Sequence, residues 1–159
     1  MKRTGEHHHA YATGYAVEFR LDTTADKQPT VCVDGAKKTG RHYDWDHKIN
    51  FQFQVHELVP TAATLLGLQT TCAFRNHGAQ RDKHLELTWQ GPQCLIKVGQ
   101  TQHLLCVVPL NPSDVFFITA LVMRQLQCHA PELDGYALRA LLQSYSRQMQ
   151  HPSPAQAAS

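Results

Sequence analysis

The chain has 159 residues and a net charge of +2, and 42% of its residues are hydrophobic while 18% are charged. This length fits one domain or two small halves that share a core, and the hydrophobic content excludes a largely disordered chain. The small net charge excludes a global positive field, so any binding of nucleic acid must depend on local clusters of basic residues.

The N-terminal part of the chain is predicted to contain a polar segment followed by three strands. Residues 1–10 are polar, and we expect a flexible N-terminus in which the His-His-His run is solvated rather than a metal site or a tag remnant. Alternation of apolar and polar residues predicts half-buried strands, which lie at 15–21, 30–40 and 49–55. In the last of these, Phe51, Phe53 and Val55 are expected to face the core.

A short helix is predicted after the third strand and closes the first half. It spans 56–67, with Pro60 near the start, where a missing amide costs little, and Gly67 at the C-cap. Turn residues then separate four further strands, which are predicted at 70–76, 83–89, 94–99 and 103–110.

Two more helices are predicted in the second half. The first spans 111–127, with Asn111 as a good N-cap and an apolar stripe that includes Phe117. The second spans 131–150, with a weaker stripe of leucines and a start near residue 136. The remaining segment, 151–159, is expected to be a disordered tail.

The distribution of apolar residues and cysteines disfavours a membrane or a secreted protein. No stretch approaches the roughly 20 apolar residues of a membrane span, and the start of the chain lacks the apolar segment of a secretory signal. The five cysteines are an odd number without a Cys-x-x-Cys pair, and four lie in apolar or strand-like runs. The pattern predicts buried free thiols in a reducing compartment, so we expect a cytoplasmic protein.

The segment YDWDHKINFQFQVHELVPTAATLLGL, at 43–68, resembles the signature of the plant Whirly proteins. That signature joins a Tyr-Asp-Trp hairpin, an alternating strand, a Thr/Ser-Val-x-Glu helix start and a Leu-Gly ending. The matching residues are Tyr43, Asp44, Trp45, Lys48, Phe51, Phe53, Val55, Glu57, Leu66 and Gly67. The second half is similar in its order of strands and in VVPLNPSDVFFITALV, so the likeness covers about residues 14–128.

The resemblance implies an α+β fold with crossed sheets, built from two repeats of antiparallel strands followed by a helix. The repeats span about 14–68 and 69–128 within a domain at 11–128, and the predicted helix at 131–150 is an addition. The family also implies a homotetramer with helices at its centre, and the binding of single-stranded DNA with little sequence preference. Two helices with wide apolar faces independently favour a homo-oligomer. No cofactor is expected.

Single-strand binders need cations that follow phosphates and flat rings on which bases stack. The segment 37–48 supplies both, in Lys37, Lys38, Arg41, Tyr43, Trp45 and Lys48. Tyr43 and Trp45 alternate on a predicted hairpin, so they can share a face and stack on bases, or they can anchor the hairpin to the sheet.

Further candidates lie on the predicted strands. The family's Lys-Gly-Lys-Ala-Ala-Leu motif is replaced here by YAVEFRL, in which Tyr15 and Arg20 lie on opposite faces, so at most one of them points at DNA. Gln52 and Gln54 project away from the core, where they can bind bases or water. The last candidates are Lys83 and Lys97, which can continue the DNA path or be ordinary surface lysines, and the second interpretation is preferred. For Trp89 a core position is preferred.

Two other classes of function stay open. The small net charge and the missing lysine motif favour a protein-interaction module that has kept the fold but not DNA binding. The segment DWDH offers Asp44, Asp46 and His47 as ligands for Mg²⁺ in a nuclease. However, no second carboxylate cluster follows, so a non-enzymatic protein that binds single-stranded DNA, with RNA as a further ligand, is the preferred interpretation.

Overall fold

The computed structural model describes residues 6–151, and it confirms the predicted α+β fold. The described strands, β1 to β9, are His7–Tyr11, Tyr15–Thr23, Pro29–Thr39, His42–Tyr43, Ile49–Gln52, Thr71–His77, Lys83–Gln90, Gln93–Gln100 and Leu104–Leu110. The described helices, α1 to α3, are Leu58–Leu65, Pro112–His129 and Gly135–Gln150. Short 3-10 helices lie at Trp45–His47 and Val55–Glu57. The tail predicted at 151–159 falls, except for its first residue, outside the described residues.

The strands form two antiparallel sheets, and each sheet is followed along the chain by one helix. In the first sheet the order is β1-β2-β3-β4, with β5 paired to β3, and α1 follows. In the second sheet the order is β6-β7-β8-β9, and α2 follows. The predicted succession of two sheet-and-helix repeats is therefore present in the described part of the chain.

The two sheets pack against each other across the core. Strand β9 contacts β1, β2 and β3, so the strands of one sheet run across those of the other. Phe19, Phe51 and Phe53 are fully buried between these layers. A Cβ atom at Gly35 would lie 3.1 Å from Cys106 Sγ, which is a tight contact, so glycine suits the close approach of the sheets at this point.

The prediction of a flexible N-terminus is wrong for residues 7–10. These residues belong to β1, which pairs with β2 from His7 opposite Arg20 to Tyr11 opposite Ala16. A tight turn joins the two strands, since the Ala12 N–H donates to the Tyr15 carbonyl at 2.8 Å. The pattern was missed because histidines occupy the positions at which a strand ordinarily shows apolar residues.

The third predicted strand is shorter than expected, because β5 ends at Gln52 and Val55 lies in a 3-10 helix. The turn is stabilised by the Glu57 carboxylate, whose Oε1 accepts a hydrogen bond from the Gln54 N–H at 2.8 Å. Its other oxygen lies 2.9 Å from His77 Nε2. This buried contact joins the start of α1 to β6. The C-cap of the helix is Leu66 rather than Gly67, and Gly67 follows it with a φ of 74°.

Helix α2 begins as the sequence predicts, and of its predicted apolar stripe Leu121 and Leu126 are buried whereas Phe117 is not. The Asp114 N–H donates to Asn111 Oδ1 at 2.7 Å, which is the expected cap. The buried side chains of this helix are Asp114, Ile118, Leu121, Val122, Gln125 and Leu126. Phe117, expected in the buried stripe, is 51% exposed and stacks on His8 instead.

Helix α3 packs against α1 and starts close to the predicted residue. Asp134 caps it by accepting a hydrogen bond from the Ala137 N–H at 2.8 Å. Leu138 and Leu142 are buried as expected, whereas Leu141 is exposed. Near the end of the helix, Ser146 Oγ donates to the Leu68 carbonyl at 2.6 Å.

Candidate nucleic-acid interface

The strand register gives the first sheet one apolar and one polar face. Val17, Phe19 and Phe51 point to the second sheet, and their neighbours along each strand point away from it. We call the opposite side the polar face. Its larger side chains are His7, His9, Tyr11, Glu18, Arg20, Asp22, Cys32, Asp34, Lys38, Asn50 and Gln52.

Four rings meet at one edge of the polar face, and we call them the aromatic cluster: His9, Tyr11, Tyr43 and Trp45. The centroids of Tyr11 and Tyr43 are 5.4 Å apart, and those of His9 and Tyr11 are 5.9 Å apart with nearly parallel planes. Trp45 meets His9 edge to face at 5.5 Å. Tyr11 is 58% exposed, so the cluster presents a ring face to solvent.

Tyr43 and Trp45 share this cluster, and Tyr43 also anchors the hairpin. Its hydroxyl donates to the Ala12 carbonyl at 2.7 Å, which anchors the β3–β4 hairpin to the turn between β1 and β2. Its ring lies 5.8 Å from Lys38 Nζ in a cation–π arrangement. Trp45 is in a 3-10 helix rather than on a hairpin strand.

The three cations at the tip of the hairpin are exposed, but they do not share a face. Lys38 pairs with Tyr43 and lies beside the aromatic cluster. Lys37 pairs with Tyr15 and points the other way, where it lines a crevice with His103 at the start of β9. Arg41 is exposed in the turn between β3 and β4. Of the predicted pair of lysines, Lys38 is therefore the one next to the rings.

At the centre of the polar face, Asp34 contacts Arg20 and Lys48, two basic residues that are predicted to bind nucleic acid. Its carboxylate is 1% exposed and lies 2.8 Å from Lys48 Nζ and 3.4 Å from Arg20 Nε, and Asn50 donates to it at 2.7 Å. Burial alone would raise the pKa of Asp34, but the hydrogen bonds from Lys48 and Asn50 and the Arg20 charge lower it. Asp22 lies 3.5 Å from Arg20, so Arg20 and Lys48 are both paired with carboxylates of the protein itself.

Gln52, Lys83 and Lys97 also have partners within the protein, and Gln54 is exposed. Gln52 Nε2 donates to the Asp22 carboxylate at 3.0 Å, whereas Gln54 is exposed beyond the end of β5. Lys83 Nζ donates to the Asn50 carbonyl at 2.9 Å. Lys97 lies 3.9 Å from Glu86 on the outer face of the second sheet. Both lysines therefore have partners within the protein.

Trp89 is half-buried at the margin of the core. The side chain packs against the hydrophobic core, and its Nε1 donates to the Thr64 carbonyl of α1 at 2.6 Å. Neither its ring face nor its donor is directed at the aromatic cluster.

The three residues of the nuclease alternative do not converge on a common point. Asp44 bonds His47 Nδ1 at 2.9 Å, and Asp46 is exposed. Within residues 6–151 no three His, Cys, Asp or Glu side chains are arranged to hold a metal ion. The geometry of the described part therefore gives this alternative no metal centre.

The thiols lie where the sequence predicts. Each of the five cysteines is free, and only Cys128 is exposed, whereas Cys32, Cys72, Cys94 and Cys106 are buried. Burial raises the pKa of Cys32, Cys94 and Cys106 to about 11.

Sequence reasoning missed His9 and Tyr11, which supply half of the aromatic cluster. The signal that could have found them is the spacing in HHHAYATGY, where alternate residues share a face and Ala-Thr-Gly makes a turn before the next strand.

Fold and site together define an α+β protein with two crossed antiparallel sheets and an exposed aromatic and basic surface on the first. Scans against protein-family models, curated proteins and solved structures each found no match. No helix among the described residues is long and apolar enough to span a membrane.

Proposed function

We propose that this protein binds single-stranded DNA with little sequence preference through the aromatic cluster and the adjacent basic residues. The observation that carries the proposal is the exposed contact of Tyr11 with Tyr43, whose ring also faces the ammonium group of Lys38. Unpaired bases stack on such rings at about 1–3 kcal/mol per base, and a nearby cation attracts the phosphate. Bases in a duplex have no free faces. RNA offers the same base faces and is the second ligand to test.

The proposed role is to coat, protect or organise unpaired DNA during replication, recombination or transfer of a mobile element such as a conjugative plasmid. Stacking on rings is tolerant of sequence, because every base has a flat face. A cytoplasmic location is part of the proposal, and the free thiols in the described part of the chain support a reducing compartment.

We also propose that the protein is a homo-oligomer, with a tetramer suggested by the resemblance to the Whirly proteins. The supporting feature is an apolar groove between α1 and α2, lined by Leu65, Val115, Phe116 and Met123 among others. Phe116 is 67% exposed in this groove. Exposed apolar surfaces of this kind mark interaction sites. Light scattering should show a smaller particle for Phe116→Glu, and an unchanged mass would exclude the groove as the contact between copies.

The experiment that tests DNA binding is a mobility shift with one sequence in single- and double-stranded form at two salt concentrations. We expect the single strand to be retained preferentially, and its affinity to fall as salt rises with a logarithmic slope of about 0.7 per phosphate contacted. Equal retention of both forms, or retention of neither, would refute the proposal.

A protein-interaction module is the second candidate, and the contacts of Asp34 favour it. Because Asp34 and Asp22 together pair with Arg20 and Lys48, the polar face offers fewer phosphate contacts than its composition suggests. This candidate predicts that the aromatic cluster binds an apolar or aromatic segment of another protein. Oligonucleotide would then be retained weakly, if at all, and without preference for unpaired bases.

A further inference from the structure

The β6–β7 hairpin of the second sheet is attached to β5, the strand of the first sheet that lies farthest from β1. Lys83 Nζ donates to the Asn50 carbonyl of β5 at 2.9 Å. The His77 ring stacks on the Phe51 ring, with centroids 4.1 Å apart. His77 and Lys83 pair with each other at the base of the hairpin turn, so the turn lies beside the edge of the first sheet.

Arg81 is an exposed cation in this turn. Within residues 6–151 its side chain belongs to no ion pair. The carboxylate of the adjacent Asp82 accepts a hydrogen bond from Gln100 Nε2 of β8 at 3.0 Å. The turn has a defined shape, because the Arg81 N–H donates to the Gly78 carbonyl at 3.0 Å and the Lys83 stem packs against Gly78. Arg81 therefore offers a positive charge to solvent from a fixed turn.

A row of paired residues crosses the polar face from the aromatic cluster to this hairpin. The register pairs His9 with Glu18, and Glu18 with Asp34. It also pairs Asp34 with Asn50, whose carbonyl accepts the hydrogen bond from Lys83. Adjacent strands are about 4.8 Å apart, so the row spans about 14 Å, and about four nucleotides cover this length at the spacing of a duplex strand. Glu18 and Asp34 are 9% and 1% exposed, so the carboxylates of the row present little surface to a ligand.

We infer that Arg81 is a second phosphate contact, so that single-stranded nucleic acid crosses the polar face from the aromatic cluster to the β6–β7 hairpin. This inference rests on the proposed function and adds the course of the strand across the same site. Bases stack on the aromatic cluster at one end, and the guanidinium group attracts a phosphate at the other. One such charge at about 4 Å from a phosphate in water strengthens binding about fivefold, and it adds about 0.7 to the logarithmic salt slope.

The test is a salt titration of the binding of labelled oligo-dT, about 12 nucleotides long, measured by fluorescence anisotropy. Arg81→Asn removes the charge and suits the turn, because Arg81 has a φ of 54° and asparagine adopts positive φ more readily than most residues. We expect this variant to bind about fivefold more weakly, with a slope lower by about 0.7. Arg81→Lys keeps the charge and should keep the slope of wild type.

The matched control is Lys27→Asn, which removes one positive charge from a different turn. Lys27 is also exposed, has a φ of 62° and lies between β2 and β3, at the end of the sheet away from the aromatic cluster. This variant should bind oligo-dT like wild type. Circular dichroism verifies that each variant is folded.

The outcomes separate the inference from the proposed function. If wild type binds oligo-dT and Arg81→Asn has the same affinity and slope, the inference is overturned and the proposed function stands. Equal losses in Arg81→Asn and Lys27→Asn would also overturn it, because the effect would then follow from net charge alone. Absence of binding by wild type would overturn the proposed function and the inference together.

Discussion

Removal of the Tyr11 ring is the most direct test of the aromatic cluster. Tyr11 is 58% exposed and contacts the rings of His9 and Tyr43, so Tyr11→Ala deletes a stacking surface without opening the core. Aromatic pairs are worth about 0.5–1.5 kcal/mol each when buried. Because this ring is mostly exposed, we expect the free energy of unfolding to fall by about 1 kcal/mol or less.

The effect on binding should be larger than the effect on stability. Loss of one stacking platform costs about 1–3 kcal/mol per base, which is a weakening of about 5- to 150-fold in the dissociation constant for oligo-dT. Tyr11→Phe keeps the ring face and should bind like wild type. Tyr136→Ala is the matched control, because it deletes an equally large exposed ring from α3, a helix that packs against α1.

Fluorescence anisotropy at low salt measures the binding, and urea denaturation measures the stability of the same samples. A dissociation constant for Tyr11→Ala within twofold of wild type, with the fold intact, would refute the assignment of the aromatic cluster as a base-stacking surface. An equal loss in Tyr136→Ala would refute it too, since the effect would then not be specific to this edge of the sheet.

Three further predictions concern individual side chains. Lys38→Ala should weaken oligo-dT binding and reduce the logarithmic salt slope by about 0.7. Lys37 lies on the opposite side of β3, so Lys37→Ala should leave the affinity and the slope closer to wild type. Equal slopes in the two variants would contradict the assignment of Lys38 as a phosphate contact. Asp34→Asn should lower the free energy of unfolding by about 2 kcal/mol at pH 7. Because the pKa of Asp34 is lowered in the folded protein, this stabilisation is present above the unfolded value of about 4 and is lost as pH falls through the folded value, so urea titrations of the two proteins should converge in acid. A thiol reagent should modify Cys128 quickly in the native protein. It should modify the four buried cysteines only on unfolding, and these are Cys32, Cys72, Cys94 and Cys106. Fast modification of more than one thiol per chain would contradict their burial.

The order of strands and helices was predictable because its signals are local in the chain. Alternation over a few residues predicts a strand. Asn111 marks the start of α2 and Gly67 the end of α1, each through a hydrogen bond to a residue three positions away. The same local patterns predicted four buried thiols, since each lies in an apolar run. Local rules failed at His7–Tyr11, where pairing with β2 rather than hydrophobicity makes the strand.

The candidate site was only partly predictable, because it depends on which side chains meet across strands. The two sheet-and-helix repeats could be predicted from the chain, and so could the closeness of Lys38, Tyr43 and Trp45, which are near neighbours in the sequence. Only the tertiary structure brought Tyr11 to Tyr43 from a distant strand and set Asp34 against Arg20 and Lys48. The physical reason is that the charge and exposure of a side chain depend on its neighbours in space, and antiparallel register decides those neighbours.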